Sequence, residues 1–218
     1  SDDVISLNLT TLTADATKIL EIEDLVQADG VSSIAGTVTL NASQAATVGA
    51  ISDTSNKIAL NFTLSNQANI SQASALVGNT SGTVAFHSDG ISNDIAAYVN
   101  ADPASNPVTA ISTAFSAIRA ADNDVNVTVS GFTTPAATSA EMDAINLIAA
   151  KTTGIITATF TASAANAARL NSSTWTTNSS TPGSDVLTAT ITDAMSVQQF
   201  TNLDGLTNQS IVLNVGIT

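Results

Sequence analysis

The chain contains one histidine, His87, in the stretch VAFHSDG. A catalytic triad would have to use it, and a histidine-based metal cluster is excluded. Alternation puts Phe86 on one face of a strand and His87 on the other, which reads as a solvent-facing strand residue. Serine is abundant, but no serine stands in a Gly-x-Ser-x-Gly turn, so no nucleophile is singled out. Glycosidase chemistry needs two carboxyl groups across one bond. Glu21, Glu23 and Asp24 are neighbours on a helical stretch and read as a solvated face, while the other acids are scattered through turns and caps. No hydrolytic pair is assigned, and no enzymatic function is expected.

Calcium requires oxygen ligands at loop spacing. The stretches SDGISND (88–94) and ADNDVN (121–126) supply Asp89, Asp94, Asp122 and Asp124 as candidate ligands. Turn and capping chemistry accounts for the same clusters, and neither follows an EF-hand or a glycine-rich calcium β-roll repeat. No other cofactor is expected. Trp175, the only tryptophan, lies in the polar stretch NSSTWTTNSSTPGSD (171–185) and could stack on a sugar ring. Asn61 and Asn69 open Asn-x-Ser/Thr sequences, the form of a glycosylation acceptor in secreted eukaryotic proteins. In a chain this rich in Asn, Ser and Thr such sequences arise by chance.

Composition narrows the partners. Eighteen acidic residues face five basic ones, a net charge of −13. So few cations cannot neutralise a phosphate backbone or hold an anionic membrane surface, so no nucleic-acid partner is expected. No apolar run is long enough to span a bilayer, so no membrane insertion is expected either. Charged residues make up 11% of the chain, against roughly 25% in an average soluble domain; Ser, Thr and Asn take their place. Aromatic residues are 4% and cysteine is absent, which excludes disulfides, thiolate metal sites and thiol catalysis. These traits suit an extracellular, cell-surface or virion-surface protein. The opening SDDVISLNL begins in strand-like sequence with no leader pattern, as in a mature product or a piece cut from something longer.

The elements that would position these residues recur. Strand-like segments stand at 4–10, 36–40, 58–64, 82–87, 125–132, 154–161, 186–192 and 210–218. Helical spacing lies between them. At 109–121, Ile111, Ala114, Phe115 and Ile118 share a face behind a Thr109 cap; at 138–150, Met142, Ile145, Ile148 and Ala149 do so behind a Thr138/Glu141 capping box. A further helix is predicted over 13–27, capped by Thr13, and shorter ones in SQAATVGAI, ISQASALV and SNDIAAYV. The order strand, polar break, short helix returns at a period of roughly 22 to 33 residues. Each helix is apolar on one face that no unit can bury alone, and stacked neighbours would cover it. The expected fold is α/β, a solenoid-like stack of short strands alternating with short helices around a mainly parallel sheet. It is read as one repeat-built domain over 1–218, with a subdomain joint near 100–108 marked by the prolines of NADPASNP.

The phrases GTVTLNASQAATVGAI with ISDTSNKIAL, and MDAINLIAAKTTGIITATFTASAANAARL, resemble the Thr/Ala-rich repeats of giant cell-surface and secreted proteins of marine bacteria. They are similar too to structural and fibre proteins of marine phages. That resemblance implies surface structure or adhesion and no catalysis.

A stack of this kind exposes edge strands unless they are capped. The expected assembly residues are Val4, Ile5 and Leu7 in the first strand and Ile211, Val212, Leu213 and Val215 in the last. They would pair with another copy, or with flanking repeats of the same chain, in a filament, fibre or surface layer. The alternative is an adhesin or phage receptor-binding module that holds a glycan or protein on loops 100–107 and 171–185, with Trp175 as its aromatic contact.

Overall fold

A computed structural model describes residues 6–13, 33–49, 60–104, 106–170 and 185–218, the backbone alone for 6–13 and 33–35. Contacts divide the chain into two units. One is Ser1–Ile91 with Ala120–Asp122, and the other is Ser92–Arg119 with Asn123–Thr218. The proline-bearing stretch 100–107 lies inside the second unit.

The elements alternate along the chain. The first sheet holds strands β1 (Ser6–Thr13), β2 (Ser33–Leu40), β3 (Leu60–Leu64) and β4 (Val84–Ala85), with helix α1 (Ala42–Gly49) after β2 and α2 (Ile70–Asn79) after β3. β5 (Ile91–Asp94) opens the second sheet and runs into the four-residue helix α3 (Ile95–Tyr98); α4 (Thr113–Ala121) and β6 (Val127–Ser130) follow. Then come α5 (Ser139–Ala149), β7 (Ile156–Ala162), α6 (Ala164–Ala167), β8 (Val186–Ile191), α7 (Val197–Asp204) and β9 (Ile211–Leu213). Strand order in both sheets follows chain order, β1-β2-β3-β4 and β5-β6-β7-β8-β9. The fold is therefore α/β, with strands and helices alternating in two parallel sheets.

Helix starts explain why the same short phrase returns in the sequence. In NASQ (41–44) the Asn41 side chain accepts from the Gln44 amide at 2.9 Å, and the Asn41 amide donates to Gln44 Oε1 at 2.8 Å. NISQ (69–72), TSAE (138–141) and SVQQ (196–199) form the same reciprocal box. Each satisfies two of the amide groups that a helix start leaves without partners, and each box is worth on the order of 1 kcal/mol.

Inward residues of the strands meet the apolar faces of the helices. In the first unit Val38, Leu40, Leu60, Phe62 and Leu64 pack with Ala45, Val48, Ala73 and Leu76, all buried. The helices come close because their contact residues are small. A Cβ on Gly49 would lie 2.4 Å from that of Ala75, and Asn79 Nδ2 reaches across to the Gly49 carbonyl at 2.7 Å. In the second unit Ile156, Ala158, Phe160 and Ala162 alternate inward with Leu187, Ala189 and Ile191, alongside Met142, Ile145 and Ile148 of α5. Tyr98 packs edge-on against Phe115 at 5.2 Å and gives its hydroxyl proton to the Thr128 carbonyl at 2.9 Å.

A buried threonine joins successive strands. Thr80 donates to the Leu60 carbonyl at 2.6 Å while its Oγ1 accepts from the Gly82 amide at 2.9 Å. Thr152 does the same with the Val125 carbonyl at 2.8 Å and the Gly154 amide at 3.0 Å. Thr207 repeats the device with the Leu187 carbonyl and the Gln209 amide, at 2.9 and 3.0 Å. Beside the first two joints an asparagine secures the incoming strand: Asn61 Oδ1 accepts from the Thr83 amide, and Asn126 Oδ1 from the Ile155 amide. The glycines are there for space. A Cβ at Gly82 or Gly154 would sit 2.3 Å from the Leu60 or Val125 carbonyl oxygen.

Several expectations need correction. Thr13 is the last residue of β1, and the rest of the helix expected over 13–27 lies outside the described residues. SNDIAAYV forms a strand that turns into one helical turn, because the run holds only Ile95 and Tyr98 as buried helix residues. The predicted helix at 109–121 starts at Thr113, capped by Ser112, whose Oγ accepts from the Phe115 amide at 3.2 Å. Ile111 instead makes an antiparallel bridge to Val99.

Thr152→Val removes the joint's hydroxyl and leaves a buried carbonyl and amide without it. It should cost about 1–3 kcal/mol in denaturant unfolding. Gly154→Ala should cost at least as much, since backbone must shift. Gly78→Ala, exposed at the end of α2 with open space around its Cβ position, should instead stabilise by about 0.5–1 kcal/mol.

Candidate functional site

The last strand of the second sheet is built on β8. Ala189, Thr190 and Ile191 stand in register with Ile211, Val212 and Leu213. The alignment continues past β9, where the Asn214 amide donates to the Ile191 carbonyl at 3.0 Å and Ile217 bridges Met195. β9 has β8 on one side and is the end of the strand order. Alternation leaves Ile211 and Leu213 half-buried and turns Val212 outward, 48% exposed; Val215 and Ile217 are each 49% exposed. An edge carrying such an apolar row is a template for another strand. At the end of the other sheet, Leu7 of β1 is in parallel register with Ile34. Val4 and Ile5 lie outside the described residues.

The candidate calcium ligands are dispersed. Asp89 is exposed in a turn, where its amide donates to His87 Nδ1 at 3.2 Å and its carbonyl accepts from Gln67 Nε2 at 2.7 Å. Asp94, in the other unit, accepts from Ser130 Oγ at 2.8 Å. Asp122 and Asp124 fall in different units as well. Among the described residues, no three His, Cys, Asp or Glu side chains are grouped as a metal would need. His87 is not on a strand: β4 ends at Ala85, and His87 is half-buried at the start of a turn closed by the Gly90 amide on its carbonyl at 2.7 Å.

The loop at 100–107 is closed at its base by Asn100. The Asn100 amide donates to the Ala110 carbonyl at 3.0 Å, and its side chain meets Thr109 and the Ala110 amide. Trp175 and positions 171–184 lie outside the described residues. The two asparagines of the Asn-x-Ser/Thr sequences have structural duties, Asn61 at a strand joint and Asn69 at a helix cap.

Among the described residues two acids are buried, and each is held. Glu141 is wholly buried, its Oε1 accepting from the Thr133 amide and hydroxyl at 2.7 and 2.9 Å and its Oε2 from the Thr138 amide at 2.6 Å. Asp185 is 5% exposed and accepts from the Ile156 amide at 2.7 Å. Burial pushes its carboxyl above the usual carboxylate range, and the Ile156 amide partly opposes that rise. Burial likewise raises the Tyr98 phenol, whereas Arg169 is raised by its exposed pairing with Asp143.

Compared with protein-family models, curated proteins and solved structures, the chain matches none. No helix among the described residues is long and apolar enough to cross a membrane.

Sequence reading missed the exposed Ile217 beside the β9 edge and a threonine-lined cavity of about 420 Å³ along β6 and β7. Ile217 lies an odd number of residues beyond Val212, so alternation counted from Val212 assigns it to the opposite face and does not mark it as outward. The cavity had no signal of its own, since it arises from a mismatch between two paired segments.

A raised carboxyl makes the ionised Asp185 less favourable in the fold than in the unfolded chain. Its contribution to stability is therefore greatest when protonated and falls as pH rises from about 3.9 through the raised value. Asp185→Asn keeps an oxygen for the Ile156 amide and removes the buried charge. Thermal melts should show the variant more stable at pH 7, with the difference shrinking towards pH 4.

Proposed function

We propose that the chain is a non-enzymatic structural subunit of an extracellular or cell-surface assembly, a solenoid-like stack extended through its edge strands. The observation that carries this reading is the β9 edge, where Val212, Val215 and Ile217 are exposed and, among the described residues, the strand pairs with β8 on one side only. Strand order that follows chain order in both sheets supports stacking, because each added strand extends the sheet in the same direction. The partner is a second copy, or a flanking repeat of like sequence, that offers a parallel strand such as β1. Such a contact is heterologous, and where its rotation does not close a ring it generates a filament or a layer and not a two-fold dimer. A composition rich in hydroxyls and amides and poor in charge agrees with an external setting.

Negative-stain electron microscopy and light scattering over a concentration series test this directly. The chain should form regular filaments or sheets that grow with concentration. Replacing both Val212 and Val215 by lysine, at positions already exposed, should leave the melting temperature nearly unchanged and abolish growth. Isolated particles at every concentration would sink the proposal.

A further inference from the structure

The β6–β7 pairing contains a gap. Val127, Thr128 and Val129 pair with Ile156, Thr157 and Ala158, and parallel contact resumes only where Ala137 meets Ala162. The run from Val129 to Ala137 is longer than that from Ala158 to Ala162, so the excess chain at 131–136 is thrown out as a loop beside Thr159–Thr161. The cavity of about 420 Å³ lies between them, within the roughly 300–1,000 Å³ of small-molecule sites.

This loop is fixed at both ends. Gly131 has φ +73°, and a Cβ there would meet Asp94 at 2.8 Å; Asp94 in turn holds Ser130. Phe132 lies against Phe160, ring centroids 5.7 Å apart. Thr133 gives both its amide and its hydroxyl to the wholly buried Glu141. Such anchoring leaves little ordering to be done when a ligand enters.

We propose that this groove binds a neutral saccharide. Hydroxyls of Thr128, Thr157, Thr159, Thr161 and Thr190 line it, and each can donate as well as accept. A ring of sugar hydroxyls has the same dual character. Phe132, half-buried, supplies one apolar wall for the C–H face of a pyranose. None of the described residues that line the groove is charged, so a phosphate, a carboxylate or a metal ion would lose its hydration there without a counter-charge. The residues that line this site include none of the described residues of loop 100–107, and the proposal does not depend on the assembly reading.

The test is an array of immobilised neutral and acidic glycans probed with the full chain, followed by titration of the best-retained free sugar. Neutral glycans should be retained. Thr159→Val keeps the side-chain shape at an exposed position, and Phe132→Ala removes the wall; each should weaken binding roughly tenfold with melting temperatures showing that both variants fold. Thr188→Val, cross-strand from Thr159 but outside the groove, should bind like the parent. Retention of no glycan, retention of acidic glycans alone, or binding that survives both groove substitutions would overturn the proposal.

Discussion

Where one parallel strand ends its pairing and the next begins, a carbonyl at the start of the older strand is buried without a ladder partner. Leaving such a group bare costs about 1–3 kcal/mol, and a chain of many short strands meets the problem repeatedly. Thr80, Thr152 and Thr207 meet it with one hydroxyl each, which donates to that carbonyl and accepts from the incoming backbone two residues on. Valine has the same outline but neither function, and serine lacks the methyl that packs. The high threonine content thus has a structural cause beyond strand propensity.

Once the joints are set, the layers must be thin. Gly82 and Gly154 admit the neighbouring carbonyl, and Gly49 against Ala75 lets two helices approach closely. Few large aromatic rings enter these layers: Phe62 is buried in the first unit, Tyr98 and Phe115 pack on each other, and Phe132 and Phe160 lie beside an interrupted stretch of pairing. The low aromatic content and the close packing are one fact seen at two scales.

Much of the fold was legible because its signals are local. The capping box at Thr138/Glu141, and the inward alternation of Ile156, Ala158 and Phe160, rest on residues a few positions apart. What the sequence concealed depends on distant partners. β5 was missed because ISND carries one buried apolar residue, and its place comes from neighbouring strands. The cap read at Thr109 falls instead at Ser112, because the bridge between Val99 and Ile111 holds the chain out of the helix. Of the candidate sites, the outward Val212 could be read from alternation alone. The groove over β7 could not, since its existence rests on how far two strands slip out of step.

The reciprocal boxes at Asn41/Gln44, Asn69/Gln72 and Ser196/Gln199 join neutral amides and hydroxyls to backbone. Most surface-stabilised helices lean instead on carboxylates at their starts, whose attraction fades once the Debye length shrinks to a few ångströms in brine. Helix ends built from uncharged partners lose no such attraction. The caps of these three helices therefore hold no charge for salt to screen, and their hydrogen bonds keep the same character from fresh water to concentrated salt.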